Sequence, residues 1–213
     1  MDNERVCVAI TGLIGSGKST ISARFNTQYG ATVIDMDKVA HSLYDTRDDV
    51  VEMIATAFGD GIRSERSINR KILGSLVFGK GNEDNMKRLE AIVWPALAEE
   101  LERKKQQYTG LVCVEAAVLY ESRWEERMDG VIFVDCQDQM RKERIMIRNN
   151  LSAGEAQQRM DSQWSSERMR QRTAEIGGYV IDNSFSVAEA DDQIWNVYED
   201  LCRRFPGLVK GSS

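Results

Sequence analysis

An α/β fold, a parallel β-sheet flanked by helices, is predicted by three features of this 213-residue chain. Short uninterrupted apolar runs recur along it, amphipathic helical patterns separate them, and a glycine-rich turn joins the first run to the first helix. The runs span residues 6–10, 32–34, 111–114 and 131–134, with a weaker fifth at 179–181. Apolarity without alternation fits strands covered on both faces. Right-handed crossovers then bring the carboxyl ends of the strands to one edge of the sheet.

The turn after the first run reads Gly12-Leu13-Ile14-Gly15-Ser16-Gly17-Lys18-Ser19-Thr20. A glycine, four residues and Gly-Lys-Ser between a strand and a helix form the pattern of a phosphate-binding loop. Glycines at 12, 15 and 17 let the backbone curl until its N–H groups converge, and the helix beginning near Lys18 adds the positive end of its dipole. Lys18 is placed to reach β- and γ-phosphates, and the Ser19 hydroxyl to ligate Mg²⁺. The chain is therefore expected to bind a nucleoside triphosphate on a P-loop NTPase fold. The helix after the loop, residues 19–29, carries Ile21 and Phe25 at helical spacing.

Asp35-Met36-Asp37 follows the second run. Two carboxylates at the edge that carries the phosphate loop suit orienting an acceptor hydroxyl and taking its proton, or holding Mg²⁺. Asp37 also reads as the N-cap of the next helix, and the two roles are compatible. From 38 to 107 no convincing strand is found. Helices are expected at 37–44, 48–58, 69–77 and 82–107, the last crossed by Trp94-Pro95. So long a stretch exceeds a simple crossover and predicts a helical, acceptor-binding insertion at about 41–107, in a core of about 1–40 and 108–205.

The third run ends in Glu115, which reads either as a water-mediated Mg²⁺ partner or as a polar strand end. Past the fourth run, a helix expected around 139–172 carries Arg141, Lys142, Arg144, Arg148, Arg159, Arg168, Arg170 and Arg172 against Glu143, Glu155, Asp161 and Glu167. It reads as a solvated face or as a lid closing over a triphosphate; the phosphate loop favours the lid for Arg144 and Arg148.

Composition narrows the classes. With 28 basic against 34 acidic side chains the net charge is −6, which gives no global electrostatic case for nucleic acid or an anionic membrane as partner. No apolar stretch approaches the roughly 20 residues of a membrane span. The acidic start, Met1 to Arg5, is not expected to be a signal peptide, and 210–213 reads as a frayed tail. Cys7, Cys113, Cys136 and Cys202 form no Cys-x-x-Cys pair and are expected to be free thiols in a reducing compartment. His41, the one histidine, argues against His-based metal sites and a Ser-His-Asp triad. Trp94, Trp124, Trp164 and Trp195 are expected in core or inter-helix packing rather than as adenine platforms. The Asn-Lys-x-Asp segment of guanine readers is missing.

Together the residues resemble the dephospho-coenzyme A kinase family. The resemblance runs from the phosphate loop and Val33-Ile34-Asp35-Met36-Asp37 through Ile68-Asn69-Arg70-Lys71-Ile72-Leu73-Gly74-Ser75, Val77-Phe78 and Trp94-Pro95. It continues in Glu115-Ala116-Ala117-Val118-Leu119-Tyr120-Glu121, the stretch Arg144 to Arg148, Gln163 and Val180-Ile181-Asp182-Asn183. Bacterial members usually have His-Pro at Trp94-Pro95 and Pro-Leu-Leu-x-Glu at 117–121. Both departures resemble the kinase half of the animal-type bifunctional coenzyme A synthase, and no counterpart of its adenylyltransferase half is expected in these 213 residues.

The resemblance implies transfer of the γ-phosphoryl group of ATP to the ribose 3′-hydroxyl of dephospho-coenzyme A. It implies that Gly12 to Thr20 hold ATP, that Lys18 neutralises the β/γ charge, and that Asp37 is the base. Arg144, with Arg148, matches lid arginines at the phosphates. Arg70 and Glu121 join Asp35 and Asp37 toward the acceptor, and Asn183 lies where adenine is expected, although Ser184-Phe185 stands where the family usually has a nearby glycine. Arg63, Arg66, Arg70 and Lys71, near Ile72, Leu73 and Phe78, offer cations and an apolar cleft for the acceptor's pyrophosphate and pantetheine arm. Kinases of other acceptors (a nucleoside monophosphate, shikimate, gluconate) share the loop and the lid arginines but not the combined motifs; a kinase-derived binding protein is the alternative of another class. The cytoplasm is the expected compartment, a mitochondrial association being left open, and a separate phosphopantetheine adenylyltransferase is a candidate functional partner.

Overall fold

The computed structural model describes residues 5–79 and 81–208, so the stretches read above as a non-signal start and a frayed tail lie almost wholly outside the described residues. The chain opens with β1 (Arg5–Thr11), α1 (Lys18–Tyr29) and β2 (Thr32–Asp35). There follow α2 (Met36–Thr46), α3 (Asp48–Phe58), a short hairpin of β3 (Arg63–Ser64) and β4 (Ser67–Ile68), α4 (Arg70–Val77) and α5 (Glu83–Lys105). Next come β5 (Gly110–Glu115), β6 (Gly130–Asp135), α6 (Asp138–Asn149), α7 (Ala153–Asp161) and α8 (Ser166–Glu175). The last elements are β7 (Tyr179–Asp182) and α9 (Val187–Arg204).

Two compact units result, Met1–Ile34 with Gln107–Ser213, and Asp35–Gln106. The first carries a five-stranded sheet of order β2-β5-β1-β6-β7. Its middle strand, β1, runs parallel to β5 and β6, and β6 runs parallel to β7. The apolar runs therefore form strands in the expected places, each reaching a residue or two further than the run itself. Val6, Val8 and Ile10 point to one face, where Ile21 and Phe25 of α1 and Ile194, Tyr198 and Leu201 of α9 cover them. Cys7 and Ala9, on alternate positions, are equally buried. α8 packs on β6 and β7.

In the second unit α2, α3 and α5 pack on one another and α4 on α5, around Val39, Leu43, Val51, Ile54 and Leu101. The unit begins at Asp35, where β2 ends, and not near residue 41. The reason is that α2 packs on α3 and α5 and so belongs with the helices that follow it. The β3–β4 hairpin, at two residues per strand, is too short to leave a periodic signal, and Glu65 takes a positive φ of 53° in its turn.

One helical expectation is corrected. The basic region around 139–172 is three helices. Asn150 (φ 50°) ends α6, Ser152 and Glu155 make a reciprocal capping box that starts α7, and Ser165 caps α8. All four cysteines are free, three of them buried and Cys202 half-buried. Trp124 is core, whereas Trp195 packs near Tyr29 and Tyr198 yet remains 44% exposed. Among the described residues no helix is long and apolar enough to cross a membrane.

Phe25, fully buried between α1 and the sheet, and Ile147, 84% exposed on α6, set the two ends of a stability test. Phe25→Ala should cost about 3–5 kcal/mol of unfolding free energy in urea titration, and Ile147→Ala less than about 0.5 kcal/mol.

Candidate active site

The loop between Thr11 and Lys18 is shaped from its outer side. Gly17 is the N-cap of α1 at φ 94°, and Gly15 has φ 79°. Neither tolerates a side chain. A Cβ on Gly15 would lie 2.7 Å from the Arg141 carbonyl oxygen, and one on Gly17 would collide with the Asn183 amide nitrogen. The outward carbonyls all find donors. Arg141 Nε donates to Ile14 O (3.0 Å), Arg144 Nη1 to Gly15 O (3.3 Å) and Ser16 O (3.4 Å), and Asn183 Nδ2 to Ser16 O (2.8 Å). Because N–H and C=O point oppositely across a peptide plane, pinning the Ile14 and Ser16 carbonyls outside turns the N–H groups of Gly15 and Gly17 inward, while the Ser16 N–H donates to Leu13 O (3.1 Å). The first turn of α1 holds no acidic side chain to oppose an anion there. Lys18 Nζ donates to Gly12 O at 2.8 Å, so its ammonium lies within the loop it is expected to serve.

Two hydroxyls of this stretch, Thr11 Oγ1 at the end of β1 and Ser16 Oγ in the loop, are buried without a hydrogen-bond partner among the described residues. A phosphate-bearing ligand fits such a cradle. For Mg²⁺ the donor set also fits. Ser19 lies in the first turn of α1; Ser22, one turn on, donates to Ser19 O (3.3 Å) and to Glu115 Oε1. Glu115 ends β5 opposite Ile10 of β1, so the carboxylate is held beside the start of α1. A hydroxyl and one carboxylate are the hard-oxygen donors from which Mg²⁺, together with nucleotide phosphates, is held.

Of the arginines, the structure brings Arg144 to the loop and leaves Arg148 away from it. Arg144 also donates to Cys136 Sγ (3.3 Å) and Asn183 O (3.2 Å), whereas exposed Arg148 bonds its neighbour Asn149 (3.1 Å). Arg144 is thus a fastening of the loop rather than a free finger. Burial pushes the Cys136 thiol up, and the Arg144 charge and Ser184 oppose it. Exposed Glu121 has a partly desolvated carboxyl, which raises its pKa; its charged neighbours are Arg168 and Glu125, not loop residues.

In the second unit, the cap of α2 is Asp35 and not Asp37. Asp35 Oδ1 accepts from the backbone N–H of Asp37 and of Lys38, both at 3.1 Å, and Lys38 Nζ lies 3.0 Å from Oδ2. Partial burial would raise the Asp35 pKa, but these donors outweigh it and the net shift is downward. Asp37 is left exposed in the first helical turn. Arg70, exposed at the start of α4, lies close enough to Tyr44 to oppose the upward shift that burial gives that phenol. Arg63, expected among the cations at an acceptor, is paired with Glu52 (2.7 Å) and Asp60 (3.0 Å). Ile72 and Phe78 are exposed, at 40% and 68%.

Arg141 was read only as one charge of the basic run, Ser22 not at all, Cys136 only as a free thiol, and Gln163 entered only through the resemblance. The first two had a signal after the fact: Arg141 stands one helical turn before Arg144, and Ser22 one turn after Ser19.

A family model for dephospho-CoA kinase matches residues 6–189. The chain is 34% identical over 199 residues to the dephospho-CoA kinase of Aquifex aeolicus, covering 92% of this chain and 97% of that one. A crystal structure from Thermus thermophilus superposes with a TM-score of 0.78 at 29% identity, covering 93% and 98%. A shikimate kinase from Acinetobacter baumannii, at 11% identity and a TM-score of 0.55 over 95% and 96%, shares the fold alone.

Capping separates the two aspartates experimentally. Asp35→Ala should lower unfolding free energy by about 1 kcal/mol, and Asp37→Ala by less than about 0.5 kcal/mol, in paired urea titrations.

Proposed function

The chain belongs to the dephospho-CoA kinase family, and on that premise we propose how its residues divide the work of the reaction. It is a kinase that phosphorylates dephospho-coenzyme A with ATP, in the last step of coenzyme A biosynthesis. The observation that carries the reading is the family match across 6–189, which includes the phosphate loop.

In our reading the backbone N–H groups of the loop hold the triphosphate and Lys18 neutralises charge between the β- and γ-phosphates. Ser19 and Glu115 would hold Mg²⁺, which would supply positive charge to offset that of the phosphates. Asp37 takes the proton of the acceptor's ribose 3′-hydroxyl as that oxygen attacks the γ-phosphorus; the bond to the β,γ-bridging oxygen breaks and ADP leaves. Its freedom from capping supports the assignment, since a carboxylate satisfied by backbone N–H groups is a weaker base. Arg144, fastened at the loop, supplies fixed positive charge beside the phosphates. Asn183 marks the adenine side, and Arg70, Asp35 and Glu121 serve the acceptor. Arg148 is left out of the phosphate set, its guanidinium being exposed and bonded to Asn149.

The compartment we propose is the cytoplasm, supported by the bacterial kinases the chain is similar to and by its free thiols. A separate adenylyltransferase supplying the acceptor belongs to the same proposal.

The test is ADP release from Mg·ATP with dephospho-coenzyme A, set beside adenosine, AMP and shikimate. Stimulation by dephospho-coenzyme A alone, with coenzyme A as product, is expected. Stimulation by another acceptor, or by none while ATP still binds, would overturn the substrate. In the same assay Asp37→Asn should lower turnover about 10²–10⁴-fold with ATP affinity nearly unchanged; full turnover would remove Asp37 as base.

A further inference from the structure

Ile14, at the tip of the phosphate loop, is held at all of its groups by one distant segment. Its N–H donates to Gln163 Oε1 at 2.7 Å, and its carbonyl accepts from Arg141 Nε at 3.0 Å. Its side chain packs in a small apolar cluster of Ile145, Ala156 and Met160, with Met146 and Leu151. Among the described residues Ile14 is the one member of that cluster from outside α6, α7 and the turn between them. The loop tip is thus a knob seated in a socket made by the basic region.

The two side chains that grip the knob are themselves fixed. Arg141 is 3% exposed, and its Nη1 is anchored on Asp138 (2.7 Å). The Gln163 N–H closes the end of α7 onto Met160 O (3.1 Å). Next to it, Trp164 stacks on Tyr120 (centroids 5.9 Å apart, 18° between planes) and carries the Arg168 guanidinium 3.5 Å from its ring centroid. Tyr120 in turn bonds Thr173 of α8 at 2.6 Å. A hydrogen-bonding side chain in so braced a turn has little freedom to follow the loop; the loop has to meet it.

We propose that Gln163, with Arg141, is a positioning residue for nucleotide binding: by docking the segment 138–165 on Ile14 it sets the curl of the phosphate loop. The inference rests on reading the loop as the ATP site, and it deepens that reading. The Ile14 N–H spent on Gln163 points away from the concavity, so Gln163 touches no phosphate and acts only through the loop. Its effect therefore falls on ATP and spares the acceptor.

The experiment uses the full chain. Gln163→Leu keeps the bulk but removes the acceptor, and Gln163→Glu keeps a carbonyl-type oxygen. Leaving a half-buried N–H unsatisfied should weaken ATP binding, measured by calorimetry without acceptor, by about tenfold or more. Exchange of the Ile14 amide hydrogen should accelerate in parallel, and KM for dephospho-coenzyme A should stay within about twofold. Gln163→Glu should restore ATP affinity to within about threefold of wild type. A Gln163→Leu protein that binds ATP like wild type, or a Gln163→Glu protein as impaired as Gln163→Leu, would overturn the assignment. Should Gln163→Leu fail to fold, Met160→Ala, which trims the socket, has to weaken ATP binding in its place; unchanged affinity there overturns it equally. A wild-type chain that binds no ATP would overturn the nucleotide reading as well, whereas tight binding by wild type and Gln163→Leu alike sinks this inference alone.

Discussion

A loop whose N–H groups converge on an anion has to put its carbonyls somewhere else. In this chain the outward carbonyls of Ile14, Gly15 and Ser16 are met by Arg141, Arg144 and Asn183, and the rest of the site depends on that arrangement. Glycine at 15 and 17 makes the curl sterically accessible, but permissiveness is not a preference, since glycine loses the most backbone freedom on ordering. The donors on the outside convert an allowed conformation into a populated one. They come from α6 and from the residue after β7, so the loop is shaped by chain more than 120 positions away. The sheet makes this economical: β6 and β7 run parallel to β1, and their carboxyl ends deliver α6 and Asn183 to the loop without long connections.

A similar division of labour recurs at the acidic groups. Asp35 spends its carboxylate on two backbone N–H groups and on Lys38, which stabilises α2 and lowers its basicity together. Asp37, two residues on, is spared that task. Glu115 is steadied by Ser22, a side chain with no charge to cancel its own. Structural work is thus placed on neighbours, which leaves the groups proposed for chemistry with unspent oxygens.

The strands were legible because burial on both faces demands continuous apolar residues, and 6–10, 111–114 and 131–134 have little else. The phosphate loop was legible because its geometry restricts residue type at fixed spacing. The basic region was read as one helix because charge dominated its pattern; the breaks are written in smaller signs, Asn150 and the Ser152/Glu155 box, which act over a single turn. The exchange of Asp35 for Asp37 as cap turned on where the helix starts, the least determined feature of a sequence pattern. The bonds that Arg141 and Gln163 make to the loop were beyond reach: nothing local distinguishes a glutamine that bonds a loop 149 residues away from one that bonds water. Long-range side-chain to backbone bonds leave no periodic trace in sequence.

Arg144 shows how far this outer scaffold bears on chemistry. Both arms of its guanidinium donate to protein acceptors, Nη1 to loop carbonyls and Cys136 and Nη2 to Asn183. A mobile arginine would have to be ordered, at a cost in side-chain entropy, each time a phosphoryl group moved. One already fixed presents its charge with no reorganisation at the moment of reaction, and preorganised charge is the kind that stabilises a transition state. The same bonds that hold the carbonyls outward hold the cation in place. In the role proposed for it, Arg144 serves the loop and the phosphates through one geometry, a double use that Arg148, exposed and bonded to Asn149, does not share.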